Sequence, residues 1–302
     1  MQPFAYQNRR PSNYFEGWYL RFVNAEEDVN VAVIFALSKA AKDPHAFLQL
    51  FTSKDKSCDY LRYPLHQFRE DGELLWIGDQ YISPYEINVA NNRIQIEGRF
   101  SNTVRIAKTM GSESAMSIIS YLPLNTAQEV IYLDGDFTGT LSVEGKTISS
   151  AKIYIEKTYG HRFPPHHMWL QSNHFDVPEA SFSFSVGILP VLGLSIKGWF
   201  GIFRYGKDEY RFAIYNLAKL RIINETATKV ELEMTRGRFR LHVVATRDHW
   251  VNLVGPVDGA LMEETVHESI DATLELSLYD RGELLVHTIG INAGMENTFT
   301  RP

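Results

Sequence analysis

The chain has 302 residues, 44% hydrophobic and 13% aromatic content, a formal net charge of −6 and a pI near 5.9. A mildly acidic chain with both signs spread along it excludes a dedicated nucleic-acid binder, which would carry a basic face. Cys58 is the one cysteine, so an intrachain disulfide and a cysteine-rich metal site are excluded, and a reducing, cytoplasmic location is expected.

Taken in chain order, residues 1–11 are polar and read as no secretory signal, and Arg9-Arg10 lacks the apolar run of a twin-arginine leader. The longest apolar stretch, Val186–Ile196, carries Gly187, Pro190 and Gly193, so no transmembrane segment is expected. Strand patterns dominate. Runs at Val29–Leu37, Arg93–Phe100, Phe137–Glu144 and Thr147–Ile155 predict strands in the first half. In the second half Phe182, Phe184 and Val186 alternate with Ser181, Ser183 and Ser185. Val230, Leu232 and Met234 alternate with Glu231, Glu233 and Thr235, and Leu274, Leu276 and Leu278 with Thr273, Glu275 and Ser277. Tyr210–Tyr215 and Leu284–Ile291 read alike, and turn signals such as Asn91-Asn92, Glu144-Gly145-Lys146 and Arg281-Gly282 separate the runs. Only short helical turns, near Ser38–Lys42 and Asn125–Glu129, interrupt them.

The expectation is an all-β chain of two antiparallel barrel or sandwich halves, since so many strands overfill one small barrel. His161-Arg162-Phe163-Pro164-Pro165-His166-His167 marks the boundary, because two prolines break the strand pattern. Glu16-Gly17-Trp18-Tyr19 is weakly echoed by Lys197-Gly198-Trp199-Phe200 in the second half.

Several motifs fail on inspection. Gly139–Thr147 approaches a phosphate-binding loop, but its spacing is one residue too long and a strand follows instead of a helix. Gly193-Leu-Ser195-Ile-Lys197-Gly198 misses the nucleophile elbow by one position. His161, His166, His167 and His174 lack a spacing that would present two imidazoles together, so no metal site is expected. Arg236, Arg238 and Arg240 share one strand face and read as a solvated edge before an anion site.

Two segments carry more information. In the first, Tyr14–Arg21, extended backbone puts Glu16 and Trp18 on one face. In the second, Trp169, Gln171, Asn173 and Phe175 share a face, while Tyr154 and Glu156 lie opposite Ile153 and Ile155. A face mixing indole, amide and carboxyl groups suits an apolar lumen with a few placed polar groups. The plain structural alternative is a buried hydrogen-bond network that closes a barrel end, with tryptophan as the plug.

The same residues carry a resemblance. Tyr14-Phe15-Glu16-Gly17-Trp18-Tyr19 resembles the N-terminal signature of the tocopherol cyclase family. Glu156-Lys157-x-x-Gly160, Phe163-Pro164 and Trp169-x-Gln171-x-Asn173-x-Phe175 resemble its central signature, and Pro256–Gly259 with the strand ending at Glu268 its C-terminal segment. Thr158-Tyr159 stands where plant members usually have Asn-Trp, and Ser172 where they have Cys. The resemblance implies two lipocalin-like halves, 1–160 and 161–302, and a redox-neutral, cofactor-free ring closure that adds a phenol oxygen across a prenyl double bond.

Such a reaction needs a carboxylic acid that is protonated near neutrality, and burial raises a carboxyl pKa in that direction. Aromatic faces would shield the tertiary cation. On this reading Glu156 is the acid and Glu16 the alternative acid or base. Trp18 and Trp169 line the cation site, Gln171 and Asn173 orient the phenol, and Tyr154 lies beside the substrate. The partner is a hydrophobic small molecule, with peripheral membrane contact for its pickup. A non-catalytic lipid or isoprenoid carrier, or a polyene hydratase or pericyclase, fits the same features.

Overall fold

The computed structural model describes residues 3–8, 10–121, 124–191 and 194–298. Its described residues form 22 strands in two antiparallel sheets, and the helical content is confined to short 3-10 turns. The all-β expectation holds. Asn125–Glu129 is no helical turn but part of the strand Thr126–Tyr132, paired with the strand Lys146–Gly160. Sheet pairing there overrides the helical preference of Ala127, Gln128 and Glu129. No helix among the described residues is long and apolar enough to cross a membrane.

The chain divides into two compact units. The first comprises Met1–Ile106, Asn125–Phe163 and Leu253–Thr265, the second Ala107–Leu124, Pro164–Asn252 and Val266–Pro302. Each short inserted segment is tied to its unit by polar side chains. In the first unit the Gln49 amide donates to Val254 O at 2.8 Å and accepts Val254 N–H at 2.9 Å, while Ser38 Oγ donates to Ala260 O at 2.6 Å. Burial pushes the neighbouring Cys58 thiol up to about 11, and it donates to Gln49 Oε1 at 3.0 Å. In the second unit the buried Arg211 donates to Ala107 O and Thr109 Oγ1 at 2.7 and 2.6 Å, and Glu209 accepts Ala107 N–H at 2.8 Å.

The first unit's sheet is a nearly closed barrel. Strands Phe15–Asn24, Val29–Ser38, His45–Thr52 and Asp59–Pro64 form a meander. Phe15–Asn24 also pairs with Lys146–Gly160, and the path continues through Asp134–Val143 and Ile94–Val104 to the short strands ending at Phe68–Asp71. Gln80 Nε2, on the strand Gln80–Ile82 near one end of this order, donates to Tyr63 Oη on the edge strand Asp59–Pro64 at 2.6 Å. One apolar cluster including Leu20, Phe22, Val33, Leu48, Ile96 and Ile153 fills the interior. Between Val143 and Lys146 the chain turns through Glu144 and Gly145, both at positive φ (52° and 88°), so the Gly139–Thr147 motif is a tight hairpin.

The second sheet has ten antiparallel strands, and the second unit's core is a cluster that includes Met168, Leu170, Phe182, Phe184 and Leu274. Trp18 belongs to the first core and Trp199 to the second, so each echoed Gly-Trp pair puts its indole inside its own sheet. Gly193 of the failed nucleophile motif and Arg9 of the Arg-Arg pair lie outside the described residues.

Candidate functional site

Alternation along Phe15–Asn24 turns Glu16 and Trp18 to the inner face, with Leu20 and Phe22. Both meet the segment that precedes the strand. The Gln7 N–H donates to the two Glu16 oxygens at 2.9 and 3.0 Å, Asn8 N–H at 3.4 Å and the Tyr14 hydroxyl at 2.6 Å, and Lys157 Nζ lies 3.2 Å away. Both Glu16 oxygens are therefore occupied by partners from the preceding segment and by Lys157. Trp18 Nε1 donates to Phe4 O at 2.8 Å, and Lys157 Nζ to Ala5 O at 2.6 Å. The Glu16 and Lys157 side chains are both fully buried, and the ammonium sits 5.7 and 5.2 Å from the Trp18 and Tyr159 ring centres. This geometry suits a clamp that closes the barrel end.

Tyr154 and Glu156 lie on the opposite face of the same sheet. They are cross-strand neighbours of Arg21 and Tyr19, whereas Ile153 and Ile155 point into the core. Two donors converge on one carboxylate oxygen: Tyr154 Oη reaches Glu156 Oε2 at 2.6 Å and Gln128 Nε2 reaches it at 2.8 Å. Glu156 is 7% exposed and Tyr154 1%. The sheet therefore separates Trp18 from Glu156, and the two do not line one site. Strand parity is the reason, since an even-numbered residue on one strand pairs here with an odd-numbered residue on the other.

The second unit places its residues in the same sense. Met168 and Leu170 enter the core, so Trp169 and Gln171 lie on the opposite face of their strand, where both are buried. The indole lies across Gly294 of the neighbouring strand, where an added Cβ would come within 2.3 Å of the ring. The strand ends at Ser172, which breaks the expected common face. Asn173 lies beyond it with Oδ1 3.1 Å from His174 Nδ1, and Phe175 turns inward against the core.

Sequence reading missed three groups. Gln128 lies in a stretch whose residues favour helix, and Lys157 takes its role from partners in and before the first strand. The third is a pair formed by His167 and Glu296 across neighbouring strands. His167 Nδ1 meets Pro164 O at 2.8 Å, and since a carbonyl only accepts, Nδ1 carries its proton. Burial opposes the imidazolium, but the hydrogen-bonded Glu296 carboxylate outweighs it and holds the His167 pKa above its ordinary value. A raised folded-state pKa adds stability that is complete below the unfolded value, about 6.5, and is lost as the pH rises through the folded one. His167→Gln is therefore expected to cost about 1.5–3 kcal/mol at pH 5.5. The gap should narrow as the pH climbs to 9, read by thermal unfolding of both proteins across that range.

The other flagged side chains have local partners. His161 Nδ1 meets Asn13 O at 3.1 Å and its Nε2 accepts from Gly259 N–H at 3.3 Å. Arg238 pairs with Asp280 at 3.1 Å and Arg240 with Glu233 at 3.2 Å, which neutralises most of the arginine stripe.

The family model described as tocopherol cyclase-like matches residues 99–297, well over half of the chain. That span contains the Glu156–Phe175 and Pro256–Glu268 segments, while Tyr14–Tyr19 precedes it. Among solved structures, an AttH-like protein from Nitrosomonas europaea is similar with a TM-score of 0.57 and 11% identity, covering 99% of this chain and 96% of that one. Kievitone hydratase from Nectria haematococca aligns with a TM-score of 0.47 and 12% identity, over 98% of this chain and 94% of that one. No curated protein matches the chain. At 11% identity the Nitrosomonas europaea structure speaks for the fold alone, and the family rests on the sequence match: this chain belongs to the tocopherol cyclase-like family.

Proposed function

We propose that this protein catalyses a redox-neutral, acid-promoted ring closure of a prenylated hydroquinone or similar isoprenoid, with Glu156 as the acid. The observation that carries the reading is the convergence of Tyr154 Oη and Gln128 Nε2 on Glu156 Oε2. In the acid form the transferable proton sits on Oε1 while Oε2 keeps its two donors. Once the proton is given up, the same two donors stabilise the carboxylate left behind. The balance is simple. The Glu156 proton goes to the less substituted alkene carbon, the phenol oxygen bonds to the tertiary cation, and the phenol proton returns to Glu156. Tyr19, directly across from Glu156, and Tyr154 supply aromatic surface for the cation. The reading uses residues of the first unit only.

The test is incubation of the purified protein with a prenyl hydroquinone, followed by mass analysis. An isomeric product of unchanged mass is expected. A product heavier by one water supports a hydratase instead, and unconverted ligand retained on the protein supports a carrier.

A further inference from the structure

The barrel of the first unit holds a piece of its own chain in the manner of a ligand. Residues 3–8 lie against the Glu16–Lys157 pair ahead of the first strand. The Phe4 ring, 4% exposed, sits 6.1 Å from the Trp18 ring, which stacks on Phe68 at 6.4 Å, and Tyr6 meets Phe68 edge-on at 5.0 Å. Two consecutive carbonyl oxygens, of Phe4 and Ala5, take the Trp18 N–H and the Lys157 ammonium at 2.8 and 2.6 Å. Apolar packing alone would hold such a segment, and burying an ammonium and a carboxylate costs several kcal/mol per ion before they pair. Here the Trp18 N–H and the Lys157 ammonium each hold an acceptor oxygen beside an aromatic ring. The connection to the first strand is exposed from Arg10 to Asn13, with Asn8 and Asn13 at positive φ (45° and 52°), and Asn13 N–H donates to Lys39 O at 2.7 Å.

We propose that residues 3–8 form a displaceable strap, and that the slot beneath Phe4 and Tyr6 binds flat aromatic compounds carrying two carbonyl oxygens, with Trp18 Nε1 and Lys157 Nζ as their donors. This site lies on the inner face of the sheet and does not depend on the role of Glu156. A tethered strap competes at an effective concentration on the order of millimolar, so the ligand's apparent affinity falls by the fraction of protein with the strap in place.

The experiment uses the full chain and two probes of similar outline, 1,8-naphthalimide with its two carbonyls and naphthalene with none. Hydrogen exchange at the Gln7 and Asn8 amides, which Glu16 now accepts, should speed up at least about tenfold when naphthalimide is added, and should not respond to naphthalene. In Phe4→Ala/Tyr6→Ala, calorimetry should show naphthalimide binding at least about tenfold tighter than in the unchanged protein, about 1.4 kcal/mol, and tighter than naphthalene by a similar factor. Unchanged exchange at Gln7 and Asn8 at the solubility limit of naphthalimide would overturn displacement. Equal binding of the two probes by the folded double variant would reduce the slot to a plain apolar cavity and also overturn the proposal. Neither readout involves turnover, so failure here is separate from failure of the cyclase reading.

Discussion

Glu156→Gln is expected to lower turnover of a prenyl hydroquinone by about 10²–10⁴-fold with the fold intact, the usual contribution of a positioned general acid. The amide is nearly isosteric, and its oxygen still accepts from Tyr154 and Gln128, the two donors that now meet Glu156 Oε2. What it lacks is the proton. The loss should therefore fall on kcat, with KM little changed, because substrate binding does not use that proton. Tyr154→Phe removes one of the two donors and should cost less, about 10-fold for roughly 1.4 kcal/mol of lost carboxylate stabilisation. Steady-state kinetics on proteins with matched circular dichroism would check both. Undiminished turnover by Glu156→Gln would remove Glu156 from the acid role.

The second large effect concerns folding. Lys157→Met leaves the fully buried Glu16 carboxylate without its cation, and breaking a buried pair in this way costs about 3–5 kcal/mol. Glu16→Gln should cost less, since the Trp18 and Tyr159 ring faces remain beside the ammonium. The double variant should be more stable than Lys157→Met, because no charge is left unpaired. Urea unfolding of the three variants checks the order. The same proteins weigh the two readings of Glu16. A clamp predicts that residual activity tracks the folded fraction, whereas an acid or base would lose turnover while remaining folded.

Most of the fold was legible because each half-buried strand repeats its pattern every second residue, and that pattern needs no long-range information. Strands such as Phe182–Val186 and Val230–Thr235 announce themselves in this way. Short strands such as Gln80–Ile82 do not, because three residues hold too little of the period. The alternation also assigned Glu16 and Trp18 to one face and Tyr154 and Glu156 to the face opposite Ile153 and Ile155, as the register shows. It did not say which face was the inside. Around Trp169 and Gln171 both faces of the strand carry large or apolar side chains, and it is Met168 and Leu170 that fill the second unit's interior. Partners distant in sequence stayed invisible. Glu296 reaches His167 from the far end of the chain, and Lys157 acquires its meaning only when Ala5 is beside it.

The most direct measurement of acid-promoted, redox-neutral closure is one set of turnovers by the unaltered protein in D2O, followed by return of the product to H2O and mass analysis. The expected product is an isomer of the substrate carrying one deuterium that does not wash out, because the solvent-derived proton of Glu156 has become a carbon–hydrogen bond. A cyclised product without carbon-bound deuterium, or one lighter by two hydrogens, would contradict proton transfer to the alkene as the bond-forming step.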